Sequence, residues 1–330
     1  MKNFKLLLAL LPFVLFSCAS VKKSAMRSVA DMLSSPDGAS VFTSDDDPLL
    51  IRDALPLALK LYEILLSYDE ENADLAAATG QNFAMYAGAF VQMPADMLDD
   101  EFWREAEAAR IRAKKLYRRG RNYLLQALEL RYEGFSRALE AGNYDDAVSM
   151  LGENDAQTAF WAGLAWLGMA STDPLDIELA ASLDKAVLLI YRSLELDDEN
   201  SGIHDALIQV QNALPSAVTA AMRERSPSMS AFMDEYYARA GAGADTASRV
   251  QYHYQRALEL SGGKSPSPHI TMATAVSIKE QDAAAYRDYL GKALAIDPEE
   301  SPDTRLLTII YQRKAQWLLD NIENFFLTDF

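Results

Sequence analysis

Apolar side chains recur along most of this 330-residue chain at the three- and four-residue spacing of a helix. Leu55, Leu59, Tyr62 and Leu66 form one such line, and Leu116, Gly120, Leu124, Ala127 and Leu128 form another. No stretch alternates apolar and polar positions between hairpin turns, so strands are not expected. The lines break at Gly142-Asn143, Asp173-Pro174, Asn200-Ser201-Gly202, Gly241–Gly243, Gly262–Pro268 and Pro298–Pro302. Between these breaks the pattern predicts roughly ten to twelve helices of ordinary globular length. Asp47-Pro48 predicts a helix start, the carboxylate capping free N–H groups while proline takes the first helical position. Three consecutive aspartates, Asp45 to Asp47, also invite comparison with a calcium loop. The spacing and closing glutamate of an EF-hand are missing, and capping accounts for them.

Five of the predicted helix ends resemble one another: Leu65–Asn72, Ala127–Gly134, Ser193–Asn200, Ala257–Lys264 and Ala293–Glu300. Upstream of them large residues fall at matching offsets: Tyr62, Leu124, Ile190, Tyr254 and Leu290. Counted at Asp69, Arg131, Asp197, Ser261 and Asp297, the ends stand 62, 66, 64 and 36 residues apart. A tetratricopeptide unit has about 34 residues, so the last step is one unit and the others are close to two. The predicted fold is therefore all-α, an irregular helical-hairpin (tetratricopeptide-like) solenoid or bundle over residues 48–330. A curved array of helix pairs creates a concave face, and such faces bind partners.

Before residue 48 the pattern changes. Lys2 and Lys5 precede an apolar run from Leu6 to Phe16, which has the length of a signal-peptide core and is too short to span a bilayer. It ends in Leu15-Phe16-Ser17-Cys18, which resembles a bacterial lipobox. Residues 1–17 read as a lipoprotein signal peptide, and 18–47 as a lipidated cysteine followed by a tether. Cys18 is the single cysteine, so no disulfide can form within the chain, and lipid attachment explains its position. Stable anchoring needs more than one acyl chain, which lipoprotein maturation supplies.

Charge narrows the partners. The chain carries 31 Lys and Arg against 48 Asp and Glu, a net −17, and loss of the two lysines in residues 1–17 makes it −19. Nucleic acid is excluded by the lack of a basic surface, and anionic lipid headgroups are disfavoured. Half the residues are hydrophobic, enough for a sizeable core.

Catalytic chemistry is thinly represented. His204, His253 and His269 are scattered without an i, i+4 pair, so no zinc site is expected. No P-loop, Rossmann glycine pattern or nucleophile elbow is present. An enzyme ranks last among the readings, and no cofactor is expected beyond lipid on Cys18.

One segment stands apart. From Arg110 to Arg121 there are seven basic residues and no acid. On a helix Arg112, Lys115 and Arg119 form one stripe, and Arg110, Lys114, Arg118 and Arg121 another, on either side of the apolar line Ala109, Ala113, Leu116, Gly120 and Leu124. Most of these charges are expected to pair with surplus acids. The alternative is a wall that attracts anions, since arginine suits bidentate carboxylate recognition. Phe160, Trp161 and Trp166 are expected in the core, as are Tyr86 and Phe90, while Gln92 is a candidate to line a channel.

Several blocks resemble the TatT family, tetratricopeptide-type lipoproteins associated with TRAP transporters. They are Asp53–Pro56 with Leu59–Glu63; Ala78–Gly80 leading to Met85–Gln92 and Pro94-Ala95; and Arg112–Lys114 through Leu116-Tyr117 to Arg119–Arg121 and Tyr123–Leu125. Lys279–Asp282, Ala293–Pro298, Arg305–Leu307 and Trp317–Leu319 continue the likeness, which departs at Gly88, where a larger polar residue is the family's habit. The resemblance implies a helical periplasmic lipoprotein, homotrimeric, each subunit perforated by a pore-like channel. It also implies a TRAP-type periplasmic solute-binding protein as partner, and a small carboxylate-bearing or apolar solute. On this basis the candidate ligand- or partner-binding residues are Tyr86, Gln92, Arg112, Lys115, Tyr117, Arg118, Arg119 and Arg121. The competing reading is an envelope scaffold lipoprotein that handles no solute.

Overall fold

Helices begin where the sequence supplies caps. Asp47 accepts hydrogen bonds from the backbone of Leu49 and Leu50 at 2.9 and 3.1 Å, as expected of it. Asn72, Asp176, Asn200, Asp245 and Asp282 cap later helices in the same way. The computed structural model describes residues 28, 29, 32 and 35–327. The signal peptide and Cys18 lie outside the described residues, as does most of the tether.

In chain order the helices are α1 (Pro36–Thr43), α2 (Pro48–Tyr68), α3 (Ala73–Ala87), α4 (Trp103–Arg131), α5 (Phe135–Ala141), α6 (Tyr144–Ser149) and α7 (Ala156–Thr172). There follow α8 (Ile177–Ala180), α9 (Leu183–Leu196), α10 (Ser201–Ala213), α11 (Ser216–Arg225), α12 (Pro227–Arg239), α13 (Thr246–Leu260), α14 (Ser267–Thr271), α15 (Ala283–Leu294) and α16 (Arg305–Asp320). Two of them run on through a wide π turn: α3 through Gly88–Gln92, and α14 through Met272–Ser277. Among the described residues there is no strand, and the all-α expectation holds.

The five similar ends are the C-termini of α2, α4, α9, α13 and α15. Antiparallel pairing follows from them: α3 with α4, α7 with α9, α10 with α13, and the α14 extension with α15. Close approach within pairs is set by small residues. A Cβ added at Gly80 would stand 2.6 Å from the Gly120 carbonyl, and one at Gly120 would stand 2.7 Å from that of Gly80. At Gly163 it would stand 2.6 Å from the Ile190 side chain.

Helix α16 joins the two ends of the array. Leu306 and Ile310 belong to the core that holds Ile51 and Leu55 of α2. One turn further on, Ala315 and Leu318 belong to the core of Ile270, Tyr286 and Leu290. The solenoid thus closes on itself, which the repeat pattern alone did not indicate. Residues 36–43 form an ordered helix ahead of the array. Ser35 caps α1 through the Gly38 amide, Phe42 packs on the main core, and α1 lies against α16.

On its outer face α2 leaves an apolar seam open. Leu50, Leu57, Leu61 and Ile64 are 58, 68, 44 and 49% exposed. With Ala54 and Tyr68 they fall at alternating four- and three-residue steps, a heptad pattern with Asp53 and Lys60 along one edge. Among the described residues no helix is long and apolar enough to cross a membrane.

Candidate functional site

Interior geometry starts from Tyr117. Its ring is wedged between two glycines: a Cβ at Gly168 would stand 2.5 Å from the ring, and one at Gly88 would stand 2.8 Å from the hydroxyl. Gly88, the departure from the family habit, is therefore the space that the tyrosine hydroxyl occupies. That hydroxyl donates to Gln92 Oε1 at 2.8 Å, and Gln92 Nε2 donates to Ser171 at 3.0 Å. Burial pushes the Tyr117 phenol well above its ordinary range, and the nearby Tyr311 and Asp96 add to the shift. Sequence reasoning named Gln92 and Tyr117 separately; the fold brings them into one hydrogen-bonded group at the π turn, a distortion that often marks functional sites.

Helix α4 disperses the basic stripes. Arg110 donates to Asp96 at 2.9 Å. Lys114 bridges Asp173 and Asp176 at 2.6 and 2.7 Å, and those bonds raise its pKa. Arg119 pairs with Glu63 at 2.5 Å and covers the Phe83 ring. Arg112 lies 5.7 Å over Tyr86, which is itself buried against Phe90, and Arg121 lies 4.6 Å over Trp166. Burial lowers the Arg121 pKa. Lys115 and Arg118 are exposed and make no ion pair with another described residue. Three of the seven basic residues thus meet acids, fewer than the majority expected. Phe160 and Trp166 are core, and Trp161 is half-buried.

A second polar group faces the interior from later helices, and sequence reasoning missed it. Asp205 of α10 accepts from Ser267 Oγ at 2.6 Å through Oδ2, while its Oδ1 is buried with no hydrogen-bond partner. Thr271 lies near enough to favour the charged carboxylate without completing a bond to Oδ1. From α16, Tyr311 and Lys314 enter the same space. Lys314 feels the charges of both Asp96 and Asp205 yet pairs with neither, and Tyr311 feels Asp205. Burial pushes the Asp205 carboxyl above and the Lys314 ammonium below their ordinary ranges. Tyr311, Lys314 and Asp205 nevertheless keep partial solvent exposure. They sit where α10, α14 and α16 pack together, desolvated yet not fully covered. The sequence did carry a signal: Lys314 stands four residues from Ile310 and four from Leu318, both buried, so a charge occupies a core-facing stripe.

Two of the histidines, far apart in sequence, meet in the fold. His204 Nδ1 and His253 Nδ1 are 2.9 Å apart. His204 Nε2 reaches the Asp198 carbonyl at 3.0 Å; a carbonyl only accepts, so that nitrogen carries the proton. His204 Nδ1 is then bare and accepts from His253 Nδ1–H. His253 Nε2, bare in turn, accepts the Tyr237 hydroxyl at 2.8 Å. Tyr237 takes a bond from Gln211 at 2.9 Å and one from the Tyr191 hydroxyl at 3.0 Å. Every proton in the chain is assigned, and both rings are neutral. Burial lowers both histidine pKa values, His253 far below its ordinary range, and raises Tyr191 to about 12. Among the described residues no group of three or more His, Cys, Asp or Glu side chains is placed to hold a metal.

The sequence profile of the family described as TAtT, TRAP transporter T-component, matches residues 44–221 and 226–326. An uncharacterized protein of Treponema pallidum (strain Nichols) is 31% identical over 300 residues, which span 89% of this chain and 85% of that protein.

Proposed function

The chain belongs to the TRAP transporter T-component family, and from that premise we propose that it is the lipid-held partner of a TRAP-type periplasmic solute-binding protein. Its membership makes it a component of a TRAP transport system. The further steps are proposals: attachment to a bacterial membrane through Cys18, assembly as a trimer, and passage or sequestration of a small solute in the interior of the ring. One observation carries the solute role over that of a scaffold. The helical array closes around polar side chains whose hydrogen-bonding capacity is left unused, Asp205 Oδ1 and Lys314 among them. A scaffold gains nothing from that arrangement, since unpaired buried polar groups destabilise a fold.

Trimer assembly draws support from the heptad seam on α2. Its apolar positions suit a helix of like pattern, and a like copy supplies one. Changing Leu57 and Leu61 together to Glu is expected to convert the oligomer to monomer while leaving the helical circular dichroism intact.

The partnership is tested by titrating the detergent-solubilised lipoprotein with the purified solute-binding protein of a TRAP system from the same genome. Saturable binding at micromolar or lower concentration is expected. No binding at any accessible concentration would leave the scaffold reading in its place.

A further inference from the structure

Several places hold polar chemistry inside this protein, among them three that bear on one another. In the chain from Asp198 to Tyr191 every donor and acceptor is matched. Around Tyr117 and Gln92 the hydroxyl and amide are matched to each other and to Ser171. The space between α10, α14 and α16 differs from both. There the acceptor Asp205 Oδ1 has no donor, and the amine Lys314 has neither an ion pair nor a hydrogen bond to another described residue. No ion pair joins the two groups, although each feels the charge of the other. They are contributed by helices about a hundred residues apart in sequence (205 and 314) and brought together by ring closure.

We infer that Asp205 and Lys314 form a binding station for a small carboxylate that also carries a hydrogen-bond donor, a hydroxyl or an ammonium. The carboxylate meets Lys314 in a charge-assisted bond, and the donor completes Asp205 Oδ1. Tyr311, on the same face one turn before Lys314, and Ser267, already bonded to Asp205, complete the wall. Neither end alone satisfies the site: a plain carboxylate leaves Oδ1 unpaired, and a plain alcohol leaves the amine unpaired. A site built to bond a ligand hydroxyl rejects the analogue that lacks it, because its own polar group is stranded. Burial favours a proton on the Asp205 carboxyl and its loss from Lys314 in the empty protein. An arriving carboxylate favours the ammonium, so binding restores the charge that burial opposes.

The inference rests on the reading that solute enters the ring, and the two fail separately. Isothermal titration of the full chain in detergent would use 2-hydroxybutyrate, 4-hydroxybutyrate and 4-aminobutyrate, with butyrate as the carboxylate lacking a donor. At least one of the three is expected to bind ten-fold or more tightly than butyrate. Lys314→Met is expected to abolish that binding. Asp205→Ala is expected to narrow the preference over butyrate to within about three-fold, since removing the stranded acceptor removes what discriminates. Equal binding of all four compounds, binding of none, or full binding by Lys314→Met would overturn the station. The solute-binding protein is titrated beside them. If it binds while no compound does, the partnership stands and the station falls; if the compounds bind and it does not, the reverse holds.

Discussion

Two buried polar groups in this protein, on neighbouring residues of one helix, serve opposite ends. In the chain from Asp198 through His204, His253 and Tyr237 to Tyr191, each hydrogen bond fixes the direction of the next, and the neutral rings are fully matched. Asp205 is adjacent to His204 in sequence, on the same helix, yet with Lys314 it leaves bonding capacity open. The first group gains stability from burial because it is complete. The second stays a liability until something arrives. Completeness, rather than the kinds of residue, separates a structural network from a receptive one, and experiments that remove members of each group should differ in sign.

The largest effect is expected at the complete network. His253→Ala takes the acceptor from the Tyr237 hydroxyl and the donor from His204 Nδ1 and opens a cavity, at a cost of about 3–4 kcal/mol. A chemical denaturation curve checks it. Next comes the wedge around Tyr117. Gly168→Ala puts a methyl group into the tyrosine ring and is expected to cost about 2 kcal/mol, with Gln92 and Ser171 losing their registered positions. A cost under about 0.5 kcal/mol would mean that the ring moves freely and that the Gln92 contact is incidental.

Titration gives a graded effect. The folded pKa values of His204 and His253 lie below those of the unfolded chain. Above pH 6.5 both states hold neutral rings, so the stability of the network is fully present. As pH falls below about 6.5 the unfolded rings take up protons that the folded ones refuse. Stability then drops by up to about 1.4 kcal/mol per pH unit for each ring. Unfolding free energies measured between pH 7 and 5 should show this slope in the native protein and a shallower one in His253→Ala. An identical slope in both would remove the histidine pair as its source.

The smallest effect is expected on the outer face of α4. Arg112, Lys115 and Arg118 are exposed, and changing all three to Gln should alter stability by less than about 0.5 kcal/mol. If they attract an anionic partner, the same variant binds the solute-binding protein more weakly and with less sensitivity to salt. Unchanged affinity at two ionic strengths would assign them to solvation alone.

Much of the architecture was legible from residue pattern. Helical spacing, the cap at Asp47 and the five similar helix ends reflect local rules that act within one or two turns. Ring closure was not legible, because it depends on α16 packing against α2 across nearly the whole chain. For the same reason the candidate site was legible in part. Gln92 and Tyr117 are marked by glycines nearby in sequence. Asp205 and Lys314 become a pair only when α16 returns, although each is visible alone as a charge on an apolar stripe. The His204–His253 contact, with 49 residues between its members, was hidden by the same distance.

Thermal unfolding of Lys314→Met against the native protein, at pH 7 without ligand, tests most directly the claim that the ring interior is held open for a visitor. In the folded protein Lys314 has a depressed pKa, so the unfolded chain holds the proton more tightly and folding is penalised wherever the unfolded amine is charged. Methionine removes that penalty, and Asp205, left without a cation, can take a proton. The account predicts an unchanged or higher melting temperature, as expected where stability is given up for binding. A fall of several degrees, comparable to that of His253→Ala, would show that Lys314 holds the fold together and would contradict the account.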